Sequence, residues 1–231
     1  MPSASRRRAK DELYDAFAAI ARAMASGRRA EIIDLLSQSE RSVDEVAREI
    51  DQSVANTSHH LRSLAHAGLV RSRRDGQRVL YRLVDERVGK LWRALRDVAV
   101  EHVAEVEVLA ASYLGARDVD AVTAHDLAER MAKGRVVVLD VRPRAEYEAG
   151  HIAGARPVPI DELGEAVDAL PRSREIVAYC RGPFCVYADD AVRLLRARGI
   201  RARRLDAGYP EWRDAGLPVV APVTVPTREA G

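Results

Sequence analysis

Residues 176–185 read Ile176-Val177-Ala178-Tyr179-Cys180-Arg181-Gly182-Pro183-Phe184-Cys185. The first four form a short apolar run of strand type that ends on Cys180. The next regular element is a helix, Tyr187 to Arg198. A second such run is Val136 to Asp140, and Ala202 to Leu205 offers a third. Helical patterns lie between them, at Arg144–Ala149 and Asp161–Leu170, and Thr123 caps one that runs to Lys133. Strands alternating with helices predict an α/β domain with a mainly parallel central sheet.

Upstream of this domain the pattern differs. Leu13, Phe17, Ile20, Ala21 and Met24 fall at helical spacing, and a second helix covers Arg28 to Ser37. Ser42 with Glu45 three residues on is a capping box that starts a third helix at Val43. Asp51-Gln52-Ser53 is a turn, and a fourth helix runs from Val54 to Gly68. Then the pattern alternates through Val70, Val79, Tyr81 and Leu83, with Asp75-Gly76 between the arms. That is a hairpin signal. A long helix from Asp85 to Leu114 closes this half. The expectation is a winged helix, mainly α with a β-hairpin wing.

Composition sets the bounds. A length of 231 residues fits two small domains. No apolar run approaches the ~18–20 residues of a membrane span, and the basic start lacks a signal core, so the expected location is cytoplasmic. Two cysteines in such a chain are expected to be reduced and reactive rather than a structural staple. The formal charge is only +2, and 34 arginines against 3 lysines make single arginines weak evidence. One window stands out. From Gln52 to Arg82 there are six arginines and one acid, net +5, with His59, His60 and His66 among them. A basic patch in a near-neutral chain suits a phosphate-binding face.

A helix-turn-helix presents the N-terminal end of its second helix to the major groove. Here the candidates for DNA contact are Ser53, Asn56, Thr57, Ser58, His59, His60 and Arg62 on that helix. Arg73, Arg74, Gln77 and Arg78 flank the wing tip. Ser26-Gly27-Arg28-Arg29, Ile32-Ile33-x-Leu35-Leu36, "VANTSHHLRSL" and "HAGLVRSRRDGQRVLYRL" resemble the ArsR-type winged-helix repressors over residues 10–110. The resemblance implies a homodimer built by the first and last helices, on a pseudo-palindromic operator in double-stranded DNA. Metal-sensing members carry cysteines on the third helix; Ser42–Ile50 has none. Asp85-Glu86-Arg87 lacks the family's His, and His102 with Glu105 makes only two ligands, short of a Zn²⁺ site. No metal and no cofactor are expected.

In the second half, Cys180 sits at a strand-to-helix turn. Backbone N–H groups and a helix N-terminus there stabilise a thiolate or persulfide. Arg181 is expected to add a fixed positive charge, and Gly182 to permit the bend. Leu139-Asp140-Val141-Arg142, Glu146-Tyr147, Gly150-His151-Ile152-x-Gly154-Ala155, the Cys180 loop, Gly208-Tyr209-Pro210-x-Trp212 and Gly216-Leu217-Pro218-Val219 resemble a single rhodanese domain. The resemblance implies that Cys180 takes a sulfane sulfur from a small donor and passes it on as Cys180 persulfide. Asp140, Arg142, Glu146 and His151 would support the loop, and Trp212 reads as core.

The loop departs from the common rhodanese pattern. Gly182 is third, Pro183 fourth and Cys185 sixth, and Pro183 removes one N–H donor. Val186 stands where the related phosphatase loops carry Arg. Cys185 reads either as a resolving thiol for Cys180 or as a small buried residue of the first helical turn.

The partition is a disordered basic tail (1–10), a DNA-binding and dimerisation domain (11–114), a linker (115–122), a rhodanese domain (123–222) and a tail (223–231). The function expected is a transcription regulator that senses reactive sulfur or an oxidant at Cys180. The rivals are a sulfurtransferase enzyme with the helix-turn-helix as a localising module, and an inert interaction module. No membrane partner is expected.

Overall fold

The computed structural model describes residues 4–115 and 119–221. It divides into two compact units, Met1–Val98 and Ala99–Gly231.

The first unit holds α1 (Ala4–Met24), α2 (Gly27–Leu36), β1 (Arg41–Ser42), α3 (Val43–Glu49), α4 (Val54–His66), β2 (Val70–Asp75), β3 (Arg78–Leu83) and most of α5 (Glu86–His102). Its core is Ile32, Ile33, Leu36, Val46, Ile50, Leu61, Leu64 and Leu69, with Val88 from α5. The capping box forms: Ser42 N donates to Glu45 Oε2 at 2.7 Å, and Glu45 N donates to Ser42 Oγ at 3.3 Å. Accepting from the Ser42 backbone lowers the Glu45 pKa. Asp51 takes a left-handed φ of 48° in the α3–α4 turn, which Asp tolerates better than most residues. Gly68 ends α4 at φ 71°, with Leu69 N donating to Leu64 O at 2.9 Å as in a Schellman motif. In the wing Asp75 pairs with Arg78, so the tip residues are Gly76 and Gln77. Gly76, at φ 60°, supplies the positive first position of that two-residue turn.

The second unit adds α6 (Ala104–Leu114), β4 (Ala121–Val122), α7 (Ala124–Ala132), β5 (Val136–Asp140), α8 (Arg144–Ala149), β6 (His151–Ile152), β7 (Arg156–Pro157), α9 (Leu163–Ala166), β8 (Glu175–Cys180), α10 (Tyr187–Ala197), β9 (Ala202–Gly208), α11 (Tyr209–Asp214) and β10 (Val219–Val220). Five strands form a wholly parallel sheet in the order β4-β9-β8-β5-β7. Both faces are covered, which is why β5 and β8 read as unbroken apolar runs. Val137, Leu139, Ile176, Ala178 and Cys180 face a cluster with α10. Val136, Val138, Val177 and Tyr179 face one with Leu127 and Trp212. The fold is therefore a winged helix followed by an α/β rhodanese-like domain.

Three expectations are corrected. Residues 4–10 of the expected disordered tail are the start of α1, supported by Arg7–Asp11 and Arg8–Glu12 pairs at 2.8 and 3.0 Å. The long helix over 85–114 is broken at Val103, which is extended (φ −114°, ψ 97°). β-Branched Val98, Val100 and Val103 weaken the helix there, and Glu105 and Glu107 favour a new N-terminus. The break puts His102 and Glu105 on separate helices. The linker over 115–122 includes buried Val119 and Val122 and the edge strand β4. Its residues 116–118, and the tail over 223–231, lie outside the described residues.

Ser42→Ala removes the cap that starts α3. We expect a loss of about 1 kcal/mol, read by calorimetry as a fall of roughly 4–8 °C in the transition of the first unit.

Candidate functional site

The cysteine loop lies at the C-terminal ends of the parallel strands, where open α/β sheets place their sites. Strand parity puts Cys180 on the α10 face, one per cent exposed. The chain then turns: Cys185 N donates to Gly182 O at 3.1 Å, with Pro183 at the second position its ring favours. The turn brings Cys185 back to Cys180, and the two sulfurs are joined in a disulfide, with Cα atoms 6.3 Å apart. The expectation of two reduced thiols is corrected, and Cys185 is the partner of Cys180 rather than an isolated core residue.

The floor of the loop is a buried polar network. Asp140 and Arg142 have no exposed side-chain surface. The Arg142 backbone N and Nε donate to Asp140 Oδ1 at 3.0 Å each, and Nη2 donates to Oδ2 at 2.6 Å. Nη2 also donates to Gly150 O at 2.7 Å. The Tyr179 phenol donates to Asp140 and accepts from Ile152 N at 3.1 Å. Burial, with Asp140 beside it, pushes the Tyr179 phenol well above its ordinary pKa. Burial works against the Arg142 charge, but the Asp140 contacts outweigh it and the pKa is raised.

One more ion pair ties this floor to the loop. Arg181 Nε and Nη2 lie 2.8 and 2.6 Å from Glu146 Oε1, and that carboxylate is fully buried on α8. The fixed positive charge expected of Arg181 is therefore neutralised by Glu146. His151 stacks on Tyr147 at 3.7 Å, and its Nδ1 is 2.9 Å from Tyr147 O. It braces α8 rather than touching the loop. Trp212 is core, donating to Pro218 O at 2.9 Å.

Tyr179 and Gly208 belong to the site and were not read as site residues from sequence. Gly208 pairs with Cys180, and a Cβ on it would lie 2.3 Å from the Arg181 carbonyl carbon. The loop backbone crosses directly over it, so no side chain fits. The signals were a hydroxyl closing an apolar strand and a glycine at a strand end.

The second candidate surface is α4 with the wing. Ala55, Asn56, His59 and Arg62 form an exposed stripe at helical spacing. Ser53 is exposed but accepts from Asn56 N at 3.2 Å as the cap. Ser58 is half-buried. Thr57 is fully buried, which removes it from the contact set: its position on the helix faces Leu61 and Leu64 of the core. His60 is half-buried too, and burial, then nearby Arg29, lowers its pKa. In the wing Arg74, Gln77 and Arg78 are exposed. Arg73 is held by Glu40 through contacts of 2.6, 2.9 and 3.0 Å, so it reaches a phosphate only by giving up a carboxylate. Glu40 lies 33 positions away, a partner that local patterning does not show.

Two substitutions test the cysteine site. Asp140→Ala leaves the buried Arg142 charge unpaired and is expected to cost about 3–5 kcal/mol, seen as a lowered transition of the second unit. Gly208→Ala forces the loop off its floor; we expect a cost of roughly 1–3 kcal/mol and faster reduction of the disulfide by a fixed thiol concentration.

Comparison with known proteins bears on both surfaces. The family described as "Rhodanese-like domain" matches residues 123–215, and "Bacterial regulatory protein, arsR family" matches residues 26–72. The chain is 46% identical over 210 residues to the HTH-type transcriptional regulator Rv0324 of Mycobacterium tuberculosis, covering 91% of this chain and 92% of that one. It is 30% identical to a sulfurtransferase of Allochromatium vinosum, over 45% of this chain and 97% of the relative. Among solved structures, a homodimeric winged helix-turn-helix DNA-binding domain from Mycobacterium bovis is 38% identical, with a TM-score of 0.41 over 46% of this chain and 95% of that one. An ArsR-type helix-turn-helix and a rhodanese domain on one chain, matched nearly end to end by a regulator of the same length, place this protein in the ArsR family of winged-helix transcriptional regulators that carry a C-terminal rhodanese domain.

Proposed function

We propose that this protein is a homodimeric, cytoplasmic regulator whose rhodanese domain senses reactive sulfur or an oxidant through Cys180 and Cys185, and changes its affinity for DNA as they change state. The observation that carries the reading is the disulfide between these residues, in the loop where a rhodanese holds its reactive sulfur.

The chemistry balances with a hydropersulfide, RS–SH, as sulfane donor. The Cys180 thiolate attacks the outer sulfur, RS⁻ leaves, and Cys180 carries a persulfide. The Cys185 thiolate then attacks Cys180 Sγ and expels HS⁻ with the bonding pair. The two thiols are oxidised by two electrons, and the sulfane sulfur is reduced to sulfide. A peroxide reaches the same disulfide through a sulfenic acid, with two hydroxides as leaving groups.

DNA contact is assigned to Asn56, His59 and Arg62 on α4 for base edges and phosphates, and to Arg74, Gln77 and Arg78 of the wing for backbone. Dimerisation is supported by two apolar stripes, about half exposed in the single chain: Leu13, Tyr14 and Phe17 on α1, and Leu91, Leu95 and Val98 on α5. Covering such stripes with a second copy removes them from water. Two recognition helices then read a pseudo-palindrome.

A second reading, a sulfurtransferase with the helix-turn-helix as a localising module, is favoured by the relative from Allochromatium vinosum. It predicts steady transfer of sulfur to cyanide, abolished by Cys180→Ser with operator binding unchanged.

The sensing reading is tested on an operator selected from random duplex DNA by the reduced protein. Wild type is expected to show at least a roughly tenfold difference in Kd between the dithiol and disulfide forms. Cys180→Ser and Cys185→Ser are each expected to bind with one affinity before and after exposure to polysulfide or peroxide. Equal affinities for the two wild-type forms sink the proposal.

A further inference from the structure

A rhodanese-type loop draws anions through three devices: backbone N–H groups, a basic side chain and a helix N-terminus. In this chain each is weakened. Pro183 contributes no N–H. Arg181 spends its charge on Glu146, which is fully buried and cannot turn away into solvent. The first turn of α10 carries Asp189 and Asp190, two carboxylates at the positive end of the helix dipole.

The neighbouring arginines do not restore the field. Arg204 Nε lies 3.3 Å from buried Asp189, and Arg193 Nη1 lies 2.9 Å from Asp190. Cys180 itself is one per cent exposed. A reagent that reaches it must shed water. An uncharged reagent loses little by this, whereas a dianion loses a great deal unless positive charge replaces the water.

The geometry points to a loop selective for uncharged two-electron thiol oxidants, such as hydroperoxides and dialkyl polysulfides, and closed to dianionic thiosulfate, with Glu146 acting through Arg181 as the residue that sets this choice. The inference rests on the reading of Cys180 and Cys185 as a reactive pair.

The steps differ in the atom attacked, in the group that Cys180 then carries (sulfenic acid, mixed disulfide or persulfide) and in what leaves. With hydrogen peroxide the Cys180 thiolate takes one oxygen and hydroxide departs; Cys185 then displaces a second hydroxide. With a dialkyl trisulfide, RSSSR, the thiolate attacks an alkyl-bearing sulfur to give Cys180–S–SR and RSS⁻; Cys185 attacks Cys180 Sγ and expels RS⁻. With thiosulfate the thiolate attacks the outer sulfur and sulfite departs. Only the last brings two negative charges to a buried site whose nearby cations are already paired with carboxylates.

The experiment uses the full-length reduced protein without DNA and follows intact mass over time with hydrogen peroxide, dimethyl trisulfide and thiosulfate at equal concentration. We expect peroxide and trisulfide to form the Cys180–Cys185 disulfide, and thiosulfate to act at least about a hundredfold more slowly. Glu146→Gln is expected to raise the thiosulfate-to-peroxide and thiosulfate-to-trisulfide rate ratios roughly tenfold, since the Cys180 thiolate common to all three reactions cancels in the ratio. Asp190→Asn, at an exposed position that does not threaten folding, is expected to raise the thiosulfate rate about twofold. In Glu146→Gln/Arg181→Gln the thiosulfate gain is expected to vanish, because the charge that Glu146 restrains is gone. Thiosulfate acting on wild type as fast as peroxide, or both single variants leaving the thiosulfate-to-peroxide ratio unchanged, overturns the inference. Failure of the sensing reading is seen separately, as operator affinity that ignores the disulfide even when the selectivity holds.

Discussion

A guanidinium with no exposed surface has to be neutralised where it sits. Arg142 is such a group, and its partner Asp140 is equally buried. The cost of taking two charges out of water is offset only when their hydrogen-bonding positions are filled. Asp140 does this with the Arg142 backbone and side chain and the Tyr179 phenol, and Arg142 with Asp140 and the Gly150 carbonyl. The network joins the end of β5 to the end of β8 and to the bend before β6. Everything above it inherits that geometry. β8 ends at a set height, Gly208 pairs beside Cys180, and the loop folds across it.

The same economy of charge governs the loop. Arg181 would be a costly half-buried cation without Glu146, and Glu146 a costly buried anion without Arg181. Pairing them stabilises the fold and takes positive potential away from Cys180. A disulfide suits that environment better than a thiolate, since it carries no charge to be solvated. On the winged helix the economy runs the other way. Asn56, His59 and Arg62 are left in water on one stripe of α4, and Arg74 and Arg78 stay exposed on the wing. Charge left in water is charge available to phosphates.

Most of the architecture was legible in the residues, because local rules carry it. The Ser42–Glu45 box, the Gly68 helix end, the Gly76 turn and the apolar runs of β5 and β8 are all set within a few positions of chain. The failures have physical causes. The two-residue strands β1, β4, β6, β7 and β10 are too short for any periodicity to register, and they exist only because a neighbouring strand is there to pair with. The break at Val103 lies in a sequence whose helical pattern continues through it. Within the candidate site, Asp140, Arg142 and Glu146 were read as loop supports and are brought together with Arg181. Thr57 was misassigned because its hydroxyl suggested DNA while its place on the helix turns it inward. Arg73 is a candidate DNA contact by its place on the wing, and its partner Glu40 is too distant in sequence for local patterning to show.

The chain by itself determined which elements form and which chemistry is on offer: a polar helix end with a basic wing, and two thiols five positions apart at a strand-to-helix turn. Periodicity, caps and turn residues act over a handful of residues, so they can be read in a line. Tertiary structure alone decided how those groups are charged and paired. It turned Thr57 inward, gave Arg73 to Glu40 and Arg181 to Glu146, and brought Cys185 onto Cys180. Electrostatic partners are chosen by distance through space, and burial by what packs on either face.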